Sequence, residues 1–271
     1  MIYIALLSVA VLAVSSAAIF AFLANAPGVV AAFWRLTLSI PFLLLIYRPK
    51  KLHLSKIPIL AGLALSLHFT LWIESLFHAS IAVSTTIVCT HSLFSGLFAY
   101  LWGEKPKPNQ ILGVIVAMVG VYFLSGADPS TDVYGILLSL AGAVAGGYYF
   151  ASARFARDIN FPSYILLTYF SAAFFSLLAC LITSQPLVGY PISTWIFLFL
   201  MALIPMLIGH TLLNYILRHM EVIPVTASVI GEAVGATLLA SIVLNQTLQP
   251  VAYLYMLVIL LGIAVTFKKS K

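Results

Sequence analysis

The sequence predicts an all-α polytopic membrane protein of ten transmembrane helices, arranged as two inverted five-helix repeats. Composition is the first ground. Of 271 residues, 63% are hydrophobic and 7% charged, and the mean hydropathy is +1.13. A water-facing domain carries about 25% charged residues, so most of this surface faces something other than water. Length is the second ground. A helical span needs about 20 apolar residues, and ten such stretches fill the chain, leaving connections too short for a soluble domain. The third is internal similarity: residues 59–125 lie over residues 201–267 at a constant offset of 142, without a gap. His68 then meets His210, Ile81 meets Ile223, Val83 meets Val225, Leu97 meets Leu239, Pro108 meets Pro250, Leu112 meets Leu254 and Gly120 meets Gly262. Five spans per repeat is an odd number, so the second repeat starts on the opposite side and is inverted.

The spans are expected at 2–24, 28–47, 57–77, 80–101, 107–125, 132–154, 161–183, 192–217, 223–244 and 250–267, with repeats covering 1–125 and 132–267 of a single membrane-embedded unit. Span 1 ends on Ala24-Asn25-Ala26, which looks like a small-residue cleavage site. However, no charged segment precedes it, the apolar run is long and Pro27 follows, so it is read as a retained span. Span 2 carries Arg35. Span 3 places His68, Trp72 and Ser75 on one stripe and ends near Glu74; its repeat partner, span 8, places His210, Asn214 and Arg218 likewise. His78-Ala79-Ser80 joins spans 3 and 4, and span 4 holds His91. Spans 5 and 10 open on Pro108 and Pro250, which suit a first helical turn. Ser92-x-x-x-Gly96, Gly142-x-x-x-Gly146 and Gly231-x-x-x-Gly235 mark close helix contacts in spans 4, 6 and 9. Cys89 and Cys180 have no motif spacing and read as packing residues.

The net charge of +6 reports orientation. With the N-terminus cytoplasmic, the loops after spans 2, 4, 6, 8 and 10 carry Arg48, Lys50, Lys51 and Lys56, then Lys105 and Lys107, Arg154 and Arg157, Arg218, and Lys268, Lys269 and Lys271. All 13 basic residues except Arg35 are thus on one side, while the loop 125–132 carries Asp128 and Asp132. This is the positive-inside pattern. It puts both termini in the cytoplasm of a multi-pass cell-membrane protein and assigns the basic residues to the anionic leaflet, with no nucleic-acid partner.

An ionisable side chain inside hydrocarbon is costly and demands a function or a partner. Glu232 falls about nine residues into span 9, near the midplane, where a carboxyl can carry a proton or bind a cationic group. His91 lies at comparable depth in span 4, one residue from Thr90, the position matching Glu232. The expected substrate-binding set is Glu232, His91, His68, His210, Asn214, Trp72, Tyr148, Tyr149, Ser15 and Ser16. Tyr148 and Tyr149 are included because Gly146-Gly147 beside them leaves room for a ligand. Trp34, Tyr169 and Tyr215 are further aromatic candidates. Arg35 and Glu74 approach the same outer boundary and are expected to form a structural ion pair. No spacing gathers metal ligands, no cofactor is called for, and neither a His-Glu-x-x-His, paired aspartates nor a nucleophile elbow points to catalysis.

Residues 82–120 contain a small, Thr-rich helix, Gly103-Glu104 at its end, then Pro108-x-Gln110 and a Gly113-x6-Gly120 helix. This resembles the repeated unit of EamA-type transporters of the drug/metabolite transporter superfamily. Arg35 resembles the family's single Arg in span 2, and Gly231-Glu232 occupies the position of its frequent span 9 Glu. The chain departs where His91 stands for a mid-helix Pro, with Ala233 its partner, where Asn245-Gln246 replaces a second Gly-Glu pair, and where span 1 lacks a Trp-rich start. The resemblance implies ten helices around a central cavity and carriage of small metabolites. A secondary transporter is therefore expected, moving a small polar or amphipathic organic metabolite by alternating access. An amino-acid-like solute, exported, ranks first; nucleosides or cationic drugs follow. A membrane-embedded enzyme or a channel is the alternative of another class. The oligomeric state is left open, a monomer included.

Overall fold

The computed structural model describes residues 2–49, 51–79, 81–124, 132–243 and 248–268. Lys50, Ser80, Asp128, Asn245-Gln246, Lys269 and Lys271, named above, lie outside the described residues. Every described element is helical: α1 (Ile2–Ala24), α2 (Gly28–Tyr47), α3 (Lys56–Ser75), α4 (Ile81–Val88 followed by His91–Leu101), α5 (Pro108–Leu124), α6 (Val133–Phe155), α7 (Phe161–Ile182), α8 (Ile192–Leu217), α9 (Val222–Val243) and α10 (Pro250–Thr266). Among the described residues, α1, α2, α3, α6, α7, α8 and α9 are long and apolar enough to cross a membrane. Helices α5 and α10 are apolar and 17 residues each, about 25 Å at 1.5 Å per residue.

Four of the expected continuous spans depart from regular α-helix. In α1 the Ser15 and Ser16 hydroxyls donate back to the Val11 and Ala13 carbonyls, each at 2.8 Å. In α4 the break at Cys89-Thr90 has the Thr90 hydroxyl on the Ile87 carbonyl at 2.6 Å. Such back-bonding competes with the helical ladder. The expected single span 80–101 is therefore two helical pieces. Helix α9 kinks at Ile230, directly before Gly231-Glu232, at nearly the position that the 142-residue offset assigns to the α4 break. In α8, Ala202–His210 widens into a π-helix containing Pro205; proline supplies no N–H, and the wider turn absorbs the missing bond.

Helix α3 packs on α6 and α7, α4 on α6, α2 on α7, α1 on α8, α9 on α4, and α5 on α10. The core between them is built from Leu36, Phe69, Ile73, Phe150, Tyr149, Tyr164 and Tyr169, all buried. Outward, Leu112, Leu254, Leu257 and Leu260 are more than half exposed, as suits hydrocarbon, where apolar surface needs no cover. The contact of α5 with α10 depends on missing side chains. A Cβ on Gly262 would stand 2.4 Å from the Ala117 nitrogen and 2.7 Å from the Gly113 oxygen, and one on Gly113 would stand 2.6 Å from the Gly262 oxygen. Gly262→Ala should therefore force the helices apart at a cost of about 1–3 kcal/mol. A lowered melting temperature of purified protein checks this, with Leu261→Ala on the exposed face leaving stability near the parent's.

Candidate functional site

The histidines of the internal repeat meet. The His68 and His210 ring centroids are 6.5 Å apart, and His91 stands 6.3 Å from His68. Helices α3, α4 and α8 thus deliver one imidazole each to a common centre. Around it, Phe69 meets His210 edge-on at 4.9 Å, Phe150 stacks on His210 at 5.8 Å and approaches His91 at 5.0 Å, and Trp72 lies parallel to His68 at 6.3 Å. Among the described residues, no three His, Cys, Asp or Glu side chains converge on a metal position.

Position is fixed by hydrogen bonds and by a missing side chain. His68 Nδ1 lies 2.8 Å from the Gly142 carbonyl. A carbonyl only accepts, so Nδ1 carries the hydrogen and Nε2 of the neutral ring is left as an acceptor. A Cβ on Gly146 would sit 2.6 Å from that Nδ1, so the Gly142-x-x-x-Gly146 stripe of α6 admits the imidazole. Asn214 donates to the Tyr149 hydroxyl and, at 2.7 Å, to the His210 carbonyl. Tyr169 bonds the Thr211 hydroxyl at 3.0 Å and donates to the Met206 carbonyl at 3.3 Å, inside the π-helix that ends on His210. Several buried polar atoms are left without a hydrogen-bond partner: His91 Nδ1, His210 Nδ1, Trp72 Nε1, Asn214 Oδ1 and all three guanidinium nitrogens of Arg35. Glu232 is buried at the first turn beyond the α9 kink and interacts electrostatically with Arg35. Buried polar groups are ordinarily satisfied, so this centre lacks an occupant's worth of partners.

Not every expected residue belongs here. The expected Arg35–Glu74 ion pair does not form. Glu74 Oε2 accepts the Gly28 backbone N–H at 2.8 Å, capping the start of α2, and Oε1 lies 3.9 Å from His78. Arg35 instead places its Cζ 3.7 Å above the Phe69 ring. Glu74 stays at the start of α2, whereas Arg35 lies seven residues further along, about 10 Å of helix rise, with its guanidinium on Phe69. Tyr148 meets Phe98 and Trp102 edge-on at 5.4 and 5.3 Å, on the opposite flank of α6 from Tyr149, in an apolar groove with Leu63, Leu67 and Leu71. Ser15 presses on Gly235 in a separate apolar groove between α1, α9 and α10, about 430 Å³ in volume, while Ser16 is consumed by its own backbone. Trp34 donates to the Leu187 carbonyl at 2.8 Å and meets Trp195 edge-on at 4.8 Å; Tyr215 packs with Phe161 and His219. Phe69 and Phe150 were missed, since nothing in their sequence neighbourhoods marks them off among 18 phenylalanines.

The basic connections gather at one end of the bundle. Glu104, closing α4, accepts from Arg154 Nε at 3.0 Å with one oxygen and from the Val222 N–H of α9 at 2.6 Å with the other. Arg154 also donates to the Arg218 carbonyl, and Arg218 to the Arg157 and Ile159 carbonyls. Glu221 accepts from Lys107 at 2.6 Å and from Gln110. Burial alone would raise the Glu221 carboxyl, but the hydrogen bonds from Lys107 and Gln110 outweigh it and hold it below the ordinary carboxylate value. These contacts tie the first half of the chain to the second.

The EamA-like transporter family matches residues 1–126 and, separately, 133–268. The chain belongs to that family. A solved protein crystal structure shares the fold with a TM-score of 0.82, over 97% of this chain and 96% of the other, at 20% identity. No curated protein matches. For this transporter-family chain, helices, apolar exterior and buried polar centre fit a multi-pass membrane protein.

A carboxyl held low in the folded state stabilises above its unfolded value, and that gain disappears as pH falls through the folded one. Stability of the purified protein should therefore drop below about pH 4.5, and Glu221→Gln should flatten part of that drop in melting curves taken across pH 3.5–7. Glu104→Ala, which strands Arg154 and the Val222 N–H together, should cost about 1–3 kcal/mol and lower the melting temperature at neutral pH.

Proposed function

We propose that this protein is a secondary carrier that moves a small polar or amphipathic organic metabolite by alternating access, amino-acid-like and exported. The observation that carries the reading is the buried centre of His68, His91, His210, Asn214 and Arg35, in which His91 Nδ1, His210 Nδ1, Asn214 Oδ1 and all three Arg35 nitrogens lack protein partners and which draws on α2, α3 and α4 of the first half and α6 and α8 of the second. A solute entering such a centre replaces the missing partners, and a polar centre at mid-membrane depth has little structural use otherwise.

The proposed architecture is ten crossings in two inverted repeats, 1–125 and 132–267, with both termini in the cytoplasm. Helix pairing supports it. Exchanging each helix with its counterpart five positions on turns α3 on α6 into α8 on α1, and returns α5 on α10, α2 on α7 and α4 on α9 to themselves. Breaks in α4 and α9 at matching positions, beside Thr90 and Glu232, supply a flexible point in each repeat. The Glu104 and Glu221 contacts are the proposed cytoplasmic gate, and opening to that side would release them. Tyr148, Ser15 and Ser16 are left outside the proposed site.

Counterflow in proteoliposomes with radiolabelled amino acids tests the activity. Uptake is expected with the parent, and Glu232→Gln should lower it by about tenfold, the equivalent of one charge-assisted hydrogen bond. Absence of counterflow for amino acids, nucleosides and cationic dyes alike would defeat the reading. Topology is checked in whole cells lacking the native cysteines: Gln185→Cys should react with an impermeant maleimide from outside, and Lys268→Cys only after permeabilisation.

A further inference from the structure

The unmet chemistry at the centre is lopsided, and Arg35 makes it so. Its side chain is fully buried, and Nε, Nη1 and Nη2 have no hydrogen-bond partner. Phe69 covers one face of the guanidinium at 3.7 Å, which satisfies the cation but none of its five in-plane N–H donors. A guanidinium stays charged at any pH a cell meets. A buried charge with idle donors is tolerated only where something else supplies the acceptors.

The carboxylates and phenol hydroxyls around it are engaged or distant, and Asn214 Oδ1, though idle, makes no bond to Arg35. Glu74 is occupied by the Gly28 N–H. Glu232 touches Arg35 only through its field, with no ion pair between them. The Tyr169 hydroxyl is taken up by Thr211 and Met206, and the Tyr149 hydroxyl receives the Asn214 amide. The Phe69 ring, 3.7 Å from Cζ, meanwhile walls off one side of the fork and leaves its N–H donors unpaired. Trp72, whose Nε1 is another idle donor, lies parallel to His68.

We propose that Arg35 is the anchor for a carboxylate on the transported solute, bound edge-on to the guanidinium with Phe69 behind it. The inference rests on the carrier reading and narrows its substrate to acids. A planar carboxylate matches the fork with two parallel hydrogen bonds. Arg35 is the one permanently charged cation among the described residues of the centre, so a single negative charge balances it. A phosphate dianion would leave an excess of negative charge beside Glu232.

Matched acids and amides test this, because each pair differs in the anchored group alone. L-leucine, L-phenylalanine, indole-3-acetate and benzoate are each compared with the primary amide in thermal-shift measurements on the full-length protein in detergent. At least one acid should raise the melting temperature by several degrees while its amide does not. Arg35→Gln should abolish that shift, and Arg35→Lys, which keeps charge but loses the fork, should weaken apparent affinity by about tenfold. Should Arg35→Gln fail to fold, Phe69→Leu replaces it and should weaken the acid without affecting any response to an amide. The proposal falls if amides stabilise as well as acids, if no acid stabilises, if inorganic phosphate does so instead, or if the acid shift survives in Arg35→Gln. Counterflow of a neutral or cationic solute in proteoliposomes, unaffected by Arg35→Gln, would overturn the anchor while leaving the carrier reading standing.

Discussion

A buried guanidinium with no acceptor is the constraint on which the rest of this molecule turns. Desolvating a charge costs several kcal/mol even after the surroundings relax, and Arg35 recovers only part of that from the ring of Phe69. Everything next to it is arranged around donors and acceptors that the protein leaves idle. Helix α3 brings His68 and Phe69, α4 brings His91, and α8 brings His210 and Asn214. Were this centre built for stability alone, apolar side chains of similar volume would serve better. That polar groups persist here is the physical reason to read it as a place for a visitor.

Holding such a centre inside a bilayer requires helices that approach closely and yet bend. Glycine provides the approach: Gly146 makes room for the His68 ring, and Gly113 and Gly262 let α5 and α10 touch through their backbones. Bending comes from serine, threonine and proline. Hydroxyl groups in α1 and α4 take backbone carbonyls for themselves, and Pro205 opens α8 into a π-helix that ends on His210. The departures from regular helix therefore sit within or beside the segments that carry the polar centre, where a two-state element would have to flex. At one end of the bundle, Glu104 grips both Arg154 and the start of α9, the helix that carries Glu232.

Much of this was legible beforehand. The 3.6-residue stripe His68, Trp72, Ser75 and its counterpart His210, Asn214 identified the two faces that do meet. The gapless offset relates the α4 and α9 interruptions to nearly the same position, but the continuous spans expected at 80–101 and 223–244 did not anticipate them. Residues assigned by local pattern alone fared worse. Tyr148 and Tyr149 share a glycine-flanked sequence, yet adjacent helical residues point about 100° apart; one faces the centre and the other a lipid-side groove. Ser15 and Ser16 looked like hydroxyls of the same site, yet both bond back to their own helix, and Ser15 lines a separate groove. The Arg35–Glu74 pair failed because depth along a helix axis says nothing about direction around it.

By itself the sequence determined the solvent, the helical class, the basic end and the family, because these depend on composition, period and order along the chain. Only the tertiary structure decided that three imidazoles, a guanidinium and an amide converge, and that Arg35 faces a ring rather than a carboxylate. Those facts depend on how helices distant in sequence are rotated against one another. Rotation is set by the packing of many small contacts at once, which no single stretch of residues encodes.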